Sequence, residues 1–135
     1  GFLNRRAFME AGRDALSWAR SQGRSAALFL IDLDRFKNVN DVHGHAAGDL
    51  VLQEAARRIA AILPPSVQTA RLGGDEFVAL ICHDGDDDLV ARLAGQLVAA
   101  MEAPIDSQGR QVRTGASIGI ARSDGDDGAC DIETM

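Results

Sequence analysis

The chain has 135 residues, of which 46% are hydrophobic and 25% are charged, so it is long enough for one compact domain and short for two. No apolar run reaches the roughly 18 residues that predict a membrane helix, and no signal peptide opens the chain, so we expect this domain to make no membrane contact. The formal net charge of -6 argues against a nucleic-acid partner, because a surface that binds nucleic acid is usually basic.

The first half of the chain predicts a helix, a buried strand and two more helices. Asn4 is suited to begin a helix that continues to about residue 21. Residues 26–31 are a continuous apolar run, which favours a central strand buried on both faces. A short helix over residues 35–42 and a glycine-rich turn at residues 44–48 lead to a longer helix over residues 47–63, which two prolines end.

The second half predicts two hairpins with a helix between them. Residues 67–72 and 76–81 are strand-like runs around Gly73 and Gly74, and two glycines favour a hairpin because they accept the positive φ of tight turns. An amphipathic helix over residues 89–101 comes next. Residues 104–121 predict a second hairpin, turning near residues 107–109, with residues 117–121 as its inner strand. This order excludes a purely parallel sheet and predicts an α+β fold with a mostly antiparallel sheet.

The two cysteines, Cys82 and Cys130, stand far apart and outside any CxxC pattern. This arrangement fits a reducing cytoplasm better than a disulfide-forming compartment. Cys82 ends an apolar run, so we interpret it as a buried thiol and not as a catalytic or metal-binding group.

Acidic residues stand at two places where the predicted fold exposes them. Asp32 follows the central strand, and Asp75 and Glu76 follow the turn of the first hairpin. If that hairpin pairs beside the central strand, these carboxylates converge and can hold Mg²⁺ over the phosphates of a substrate. Taken alone, the Gly-Gly-Asp-Glu string fits an ordinary polar turn equally well, because glycine and aspartate are common turn residues.

The segment after Asp32 favours a nucleotide site. A strand end comes directly before a short helix, whose first N–H groups are free to bind anions, and Lys37 adds a positive charge there. Asn40 and Asp49 supply an amide and a carboxylate that could pair with guanine, although their spacing does not prove it. His43 and His45 have no evident third ligand, so packing or capping explains them better than metal binding.

Five blocks of the chain, in the same order, resemble the GGDEF family of diguanylate cyclases. They are residues 1–8, 32–41, 44–49, 71–77 and 117–121, and the fourth contains the intact signature Gly73-Gly74-Asp75-Glu76-Phe77. The resemblance implies a nucleotide-cyclase fold with a ferredoxin-like core. It also implies a reaction in which two GTP molecules condense to cyclic di-GMP and release two pyrophosphates. Because each domain binds one GTP, the resemblance implies a homodimer.

The resemblance also assigns the metal and catalytic residues. By similarity, Asp32 and Asp75 ligate Mg²⁺ or Mn²⁺ with help from the Leu33 carbonyl, and Glu76 supports the metal site. Asp75 or Glu76 is the candidate to accept the proton of the attacking hydroxyl, although activation by the metal could make a dedicated base unnecessary.

The substrate residues follow from the same resemblance. Guanine would be read by Asn40 and Asp49, and the glycines of the signature would let the ligand lie against the backbone. The β- and γ-phosphates would be held by Lys37 and by the backbone near Arg35 and Phe36. The full set of expected substrate-binding residues is Arg35, Phe36, Lys37, Asn40, Asp49, Gly73 and Gly74.

The chain departs from the family pattern in two ways. Residues 64–67 are Pro-Pro-Ser-Val where many members have the inhibitory Arg-x-x-Asp, so we expect no product inhibition through that site. The chain stops about where a further helix with basic phosphate contacts should begin, and it starts inside the opening block. We therefore expect residues 1–135 to be one GGDEF domain, cut at both ends, from a cytoplasmic enzyme with an upstream regulatory domain and with any membrane anchor outside this chain.

The sequence also bears on three functions other than the cyclase. A domain that binds GTP or a partner without turnover is the main alternative, and the intact signature favours the enzyme over it. A P-loop GTPase is excluded because the chain contains no GxxxxGK[ST]. A cyclase that makes another cyclic dinucleotide stays open, since base choice can depend on residues that the sequence does not locate.

Overall fold

The computed structural model describes residues 3–65, 67–85, 87–107 and 109–123. The first half contains helix α1 (Arg5–Ser21), strand β1 (Ser25–Leu33), helix α2 (Phe36–His43) and helix α3 (His45–Ile62). The second half contains β2 (Gln68–Arg71), β3 (Glu76–His83), helix α4 (Asp87–Glu102), β4 (Ile105–Ser107), β5 (Arg110–Val112) and β6 (Ala116–Ser123). Within the described residues, no helix is both long enough and apolar enough to cross a membrane.

The main sheet has the strand order β2-β3-β1-β6, and every neighbouring pair in it is antiparallel. Strands β1 and β2 are joined through helices α2 and α3, and β3 lies between them. Strand β6 follows α4 and pairs with the other edge of β1. This is the split β-α-β-β-α-β arrangement of ferredoxin-like folds. The α+β prediction and its mostly antiparallel sheet are confirmed.

Helix α1 begins where the sequence predicts. The Asn4 side-chain oxygen accepts a hydrogen bond from the Ala7 N–H at 2.8 Å, which satisfies one of the free donors of the first turn. Phe8 is the buried anchor of this helix and packs against Leu28 and Val78 of the sheet. Just before the helix, the Leu3 N–H donates to the Thr69 carbonyl at 3.0 Å and ties the start of the described chain to β2.

The sheet is covered unevenly by its two layers of helices. One face carries Phe29, Ile31 and Leu33 and is buried beneath the helices α3 and α4. The other face is covered by α1 as far as Leu28, whereas Leu30, with 36% of its surface exposed, lies beyond that cover. Burial of β1 on both faces therefore holds only for its first half. Beyond Leu30, the same face of β1 reaches Asp32, which is also exposed.

For the second hairpin, the predicted strand pairing is wrong. Its turn lies between β4 and β5, which in the described part of the chain pair with each other and with no other strand, while the expected inner strand is β6 and pairs with β1. Strand β1 offers an apolar partner of full length, whereas β5 is three residues long and mostly exposed. Gly115, with φ of 104°, lies between the hairpin and β6 in a conformation that favours glycine.

Helix α3 begins earlier than predicted. The expected turn at residues 44–48 is reduced to Gly44, whose φ of 90° ends α2, and α3 starts at the next residue, His45. Gly48 is consequently a buried residue inside the first turns of α3 and not part of a loop.

Candidate functional site

The acidic residues of the predicted metal site lie at one end of the sheet. In the register between β1 and β3, Asp32 stands opposite Glu76. The Leu33 N–H donates to the Asp75 carbonyl at 3.0 Å, and the Leu72 N–H donates to the Glu76 carbonyl at 2.9 Å across the hairpin turn. The turn therefore pairs beside the central strand, which is the condition that the sequence left open, and its two acids come next to the end of β1.

The proximity of these acids is visible in the pKa of Asp32. That pKa is raised by partial burial, by the charge of Asp75 and a hydrogen bond shared with it, and by the charges of Glu76 and Asp34. Burial disfavours any charge on Asp32, and the neighbouring carboxylates disfavour a further negative charge beside their own. A cation bound there would relieve the repulsion, so the acids form an electrostatic site for a positive ion.

The donor set fits a hard divalent cation held partly by its substrate. Among the described residues, no three His, Cys, Asp or Glu side chains are grouped closely enough to hold a metal ion by themselves. Mg²⁺ is commonly bound by one or two carboxylates together with phosphate oxygens and water, and it does not need a full protein cage. Asp32, Asp75 and Glu76 offer oxygen ligands of the preferred kind, beside the backbone of Leu33.

Asp34 and Ser117 also belong to this end of the sheet, although no role was predicted for them. The Ser117 hydroxyl donates to Asp34 Oδ1 at 2.8 Å, and the Asp34 N–H donates to the Gly115 carbonyl at 3.0 Å. Ser117 also stands opposite Asp32 in the register between β1 and β6. The end of β1 is therefore held from both neighbouring strands. Only the register, which the sequence did not provide, could have shown this link.

The turn after β1 has an unusual backbone at the expected phosphate site. Arg35 has φ of 63°, and no other non-glycine residue in the described part of the chain has a positive φ. It precedes α2 as the N-cap, without a side-chain hydrogen bond to the first turn. Lys37 is exposed on that first turn, whereas Phe36 packs partly into the core. Phe36 therefore anchors the first turn of α2 to the core.

Asn40 and Asp49, the two expected guanine-reading residues, lie near each other because Gly48 leaves room for the Asn40 side chain next to Asp49. A side chain at Gly48 would overlap the Asn40 side-chain oxygen and would lie 2.9 Å from the Asn40 Cγ, so Asn40 rests directly against α3. Asp49 follows on the same helix and lines an open cavity of 580 Å³. Asn40 does not line that cavity itself. The other residues that line it are Leu52, Gln53, Ala56, Arg57, Arg71 and Phe77.

The glycine turn is shaped differently from the prediction. Neither Gly73 nor Gly74 has a positive φ, so backbone conformation is not the reason for glycine at these positions. A Cβ at either position would meet nothing within 4 Å, which leaves open space above the turn. The turn is held from the side by Arg71, whose Nε donates to the Gly73 carbonyl at 3.1 Å and whose Nη2 donates to the Gly74 carbonyl at 3.2 Å.

Several predictions concern groups away from the acids. Cys82 is partly buried with its Sγ 3.8 Å from the Ala15 carbonyl, and burial raises the pKa of its thiol. His43 ends α2 and His45 begins α3. The predictions for residues 1, 2, 66, 108 and 124–135, including Cys130 and the C-terminal end, lie outside the described residues.

The fold is a ferredoxin-like α+β domain with acids at one end of an antiparallel sheet, beside the hairpin that carries the signature. The family model of the diguanylate cyclase GGDEF domain matches residues 1–133. The chain belongs to this GGDEF family.

Known proteins with the same domain agree with this assignment. Diguanylate cyclase TpbB of Pseudomonas aeruginosa is 45% identical over 121 residues, which are 88% of this chain and 28% of TpbB. Cyclic di-GMP phosphodiesterase PdeB of Shewanella oneidensis is 41% identical over 122 residues, which are 90% of this chain and 14% of PdeB. The chain thus spans under a third of the length of these curated relatives.

A solved structure gives the same result for the fold. The crystal structure of a sensory box/GGDEF family protein from Caulobacter crescentus superposes with a TM-score of 0.86 at 39% identity, covering 90% of this chain and 79% of that one.

Proposed function

We propose that this domain is an active diguanylate cyclase, which condenses two GTP molecules into cyclic di-GMP and releases two pyrophosphates. One observation carries the proposal: Asp32, Asp75 and Glu76 converge at the open end of the sheet. The intact signature and the similarity to TpbB, which is named a diguanylate cyclase, also support it.

The proposed substrate contacts extend from the guanine base of GTP to its β- and γ-phosphates. Asp49, with Asn40 beside it, accepts hydrogen bonds from the Watson–Crick edge of guanine. The open face of Gly73 and Gly74 gives room for the nucleotide to lie against the backbone. The N–H groups after Arg35, together with Lys37, hold the β- and γ-phosphates, because the free N–H groups of a helix start attract anions.

The proposed chemistry takes place at the acidic end of the sheet. A bound Mg²⁺ or Mn²⁺, held by Asp32, Asp75, Glu76 and the Leu33 carbonyl, would neutralise phosphate charge and lower the pKa of the attacking hydroxyl. The protein positions the α-phosphorus of its GTP for attack in line with the leaving pyrophosphate. Asp75 or Glu76 accepts the proton from the 3′-hydroxyl as the new phosphodiester bond forms.

We propose that the working unit is a homodimer. The expected substrate residues of one domain account for one GTP, whereas the product contains two nucleotides. Two domains must therefore face each other so that each 3′-hydroxyl reaches the other α-phosphorus.

We further propose that the domain works in the cytoplasm as part of a longer signalling protein with a regulatory region. The much greater lengths of TpbB and PdeB support a multidomain context. In that context, a signal would control catalysis by changing how two domains approach each other.

The second candidate is a GTP-binding domain without turnover that regulates a neighbouring domain. It is favoured by one observation: PdeB, at 41% identity, is named a phosphodiesterase. The two candidates differ in product formation and not in GTP binding, so an assay that measures both separates them.

The test is product analysis with one changed carboxylate. A protein that contains this domain is incubated with GTP and Mg²⁺, and nucleotides are identified by chromatography. We expect cyclic di-GMP from the unchanged protein and a loss of about 100-fold or more in rate for Asp75→Asn, because a metal-binding acid acts mainly in the transition state. Asp14→Asn, an exposed change on α1, is the control and keeps the rate.

Two outcomes would contradict the proposal. GTP binding without any cyclic di-GMP supports the regulatory candidate in place of the cyclase. An Asp75→Asn protein as active as the unchanged one contradicts the assignment of the acidic site.

A further inference from the structure

The cavity beside the signature turn has one wall made by a single face of α3. Asp49, Gln53 and Arg57 recur every four residues along this helix, so they lie on the same side of it and line the cavity together. Its floor is apolar and consists of Leu52, Ala56 and Phe77. An apolar floor with a carboxylate at one end of the rim and a guanidinium at the other fits a flat ring with polar edges.

Arg57 is held in place by a network that reaches α4. Its Nε and Nη2 each donate to a different oxygen of Glu54 at 2.6 Å. Glu54 also accepts from Arg58 at 3.0 Å, and these two guanidinium partners lower the pKa of Glu54 to about 2. Arg58 in turn donates to the Ala100 and Ala103 carbonyls at 2.8 and 2.9 Å, at the end of α4.

This network determines where the guanidinium of Arg57 points. Glu54 precedes Arg57 by three residues, so the paired guanidinium is drawn along α3 towards Asp49. Two of the five N–H groups of an arginine are used by Glu54, which leaves three for a ligand. The neighbouring Arg71 also lines the cavity and donates through the same two atoms, Nε and Nη2, to the signature turn. Arg57 differs from Arg71 because it lies on the face of α3 that carries Asp49, so it is the cation that shares one cavity wall with that carboxylate.

We propose that Arg57 is a specificity-determining residue that donates to O6 and N7 of guanine, on the edge away from the ring atoms that Asp49 reads. The inference rests on the proposed function, because it adds a contact to the same GTP. Guanine presents two acceptors at O6 and N7, a pattern that the arginine fork matches. Adenine presents an amino donor at the 6-position, with which a guanidinium cannot pair.

The test compares nucleotides that differ only at this edge. Binding of the 2′,3′-dideoxy forms of GTP, 7-deaza-GTP and ATP is measured by titration calorimetry with Mg²⁺, since without a 3′-hydroxyl none of them can condense. We expect the unchanged protein to bind dideoxy-GTP about 10-fold more tightly than its 7-deaza form, because a bidentate arginine contact typically discriminates by this much or more. Dideoxy-ATP should bind more weakly than dideoxy-GTP.

The variant that tests the proposal is Arg57→Ala. It should bind dideoxy-GTP and the 7-deaza form equally, because the group that distinguishes them is gone. Glu54→Gln, which removes the charge that holds Arg57, should reduce the difference between the two nucleotides. Arg92→Ala, an exposed change on α4, is the matched control and keeps the full difference. A ratio of two affinities within one protein does not depend on how much of the protein is folded.

The outcomes separate this inference from the function on which it rests. If the unchanged protein binds dideoxy-GTP but does not distinguish the 7-deaza form, or if Arg57→Ala still distinguishes it, the role of Arg57 is overturned and the cyclase proposal stands. If no guanine nucleotide binds in the presence of Mg²⁺, the proposed function is overturned together with the inference.

Discussion

Gly48 determines where Asn40 can lie. The missing side chain lets the Asn40 amide rest against the first turns of α3, beside Asp49. The sequence placed Gly48 in a turn, where glycine is common for reasons of backbone conformation. In the structure it is a buried helical residue whose value is its small size, and it links the two helices that carry the expected guanine-reading residues.

Replacing Gly48 should therefore damage the site more than the helix. In Gly48→Ala, the new Cβ overlaps the Asn40 side-chain oxygen and forces that amide away. We expect affinity for dideoxy-GTP, measured by calorimetry, to fall about 10-fold, and unfolding by urea to show a cost of about 1–3 kcal/mol from overpacking.

The matched control is Gly95→Ala on α4. A Cβ at Gly95 would meet nothing within 4 Å, so this change should leave binding unaltered and should stabilise the helix by about 0.5–1 kcal/mol. A Gly48→Ala protein that binds nucleotide like the unchanged one would show that the position of Asn40 does not matter.

Helix α3 has two structural roles in addition to lining the cavity. Val51, Ala55 and Ile59 bury one face of it against the sheet. Glu54 and Arg58 connect it to the end of α4, where Arg58 reaches the Ala100 carbonyl at 2.8 Å. The cavity wall is consequently part of a braced pair of helices, which keeps its polar groups in fixed positions.

The Glu54 network should make stability depend on pH in a defined direction. Because the folded-state pKa of Glu54 is lowered from 4.5 to about 2, its contribution is present above pH 4.5 and is lost as the pH falls towards 2. Glu54→Gln should lower the free energy of unfolding by about 1 kcal/mol at pH 7, a modest value because Arg57 is largely exposed. The difference between the two proteins should shrink when urea unfolding is repeated near pH 3.

Glu10→Gln supplies the comparison for that experiment. Glu10 pairs with Arg6 at 3.6 Å on α1, and both side chains are mostly exposed, so the change should cost no more than about 0.5 kcal/mol at pH 7. Equal effects of the two changes, or an effect of Glu54→Gln that does not vary with pH, would contradict the network.

The sequence predicted those elements whose signals are local. The apolar run before Asp32 and the two glycines between strand-like runs were sufficient to predict β1 and the signature hairpin. The pairing of β6 with β1 was not predictable, because it joins residues that are far apart in the chain and depends on which partner offers more apolar surface. The same holds for Arg58, whose carbonyl partners lie more than 40 residues away.

At the scale of the whole molecule, the acidic end of the sheet is open on the same face as α1, in the part that this helix does not cover. Leu30 and Asp32 are exposed there, at the end of β1 where Glu76 stands opposite Asp32. A site that is open in this way can be approached by a nucleotide held on a second domain. Under the proposed function, this opening would let the two bound GTP molecules react with each other.

The initial rate of cyclic di-GMP formation, measured over about a 100-fold range of protein concentration at saturating GTP and Mg²⁺, tests the central claim most directly. If two domains must meet, association follows mass action, so the rate per domain should rise with concentration until dimers predominate. Cyclic di-GMP formed at a constant rate per domain down to the lowest concentration would contradict the need for association. Absence of cyclic di-GMP at every concentration would contradict the cyclase itself.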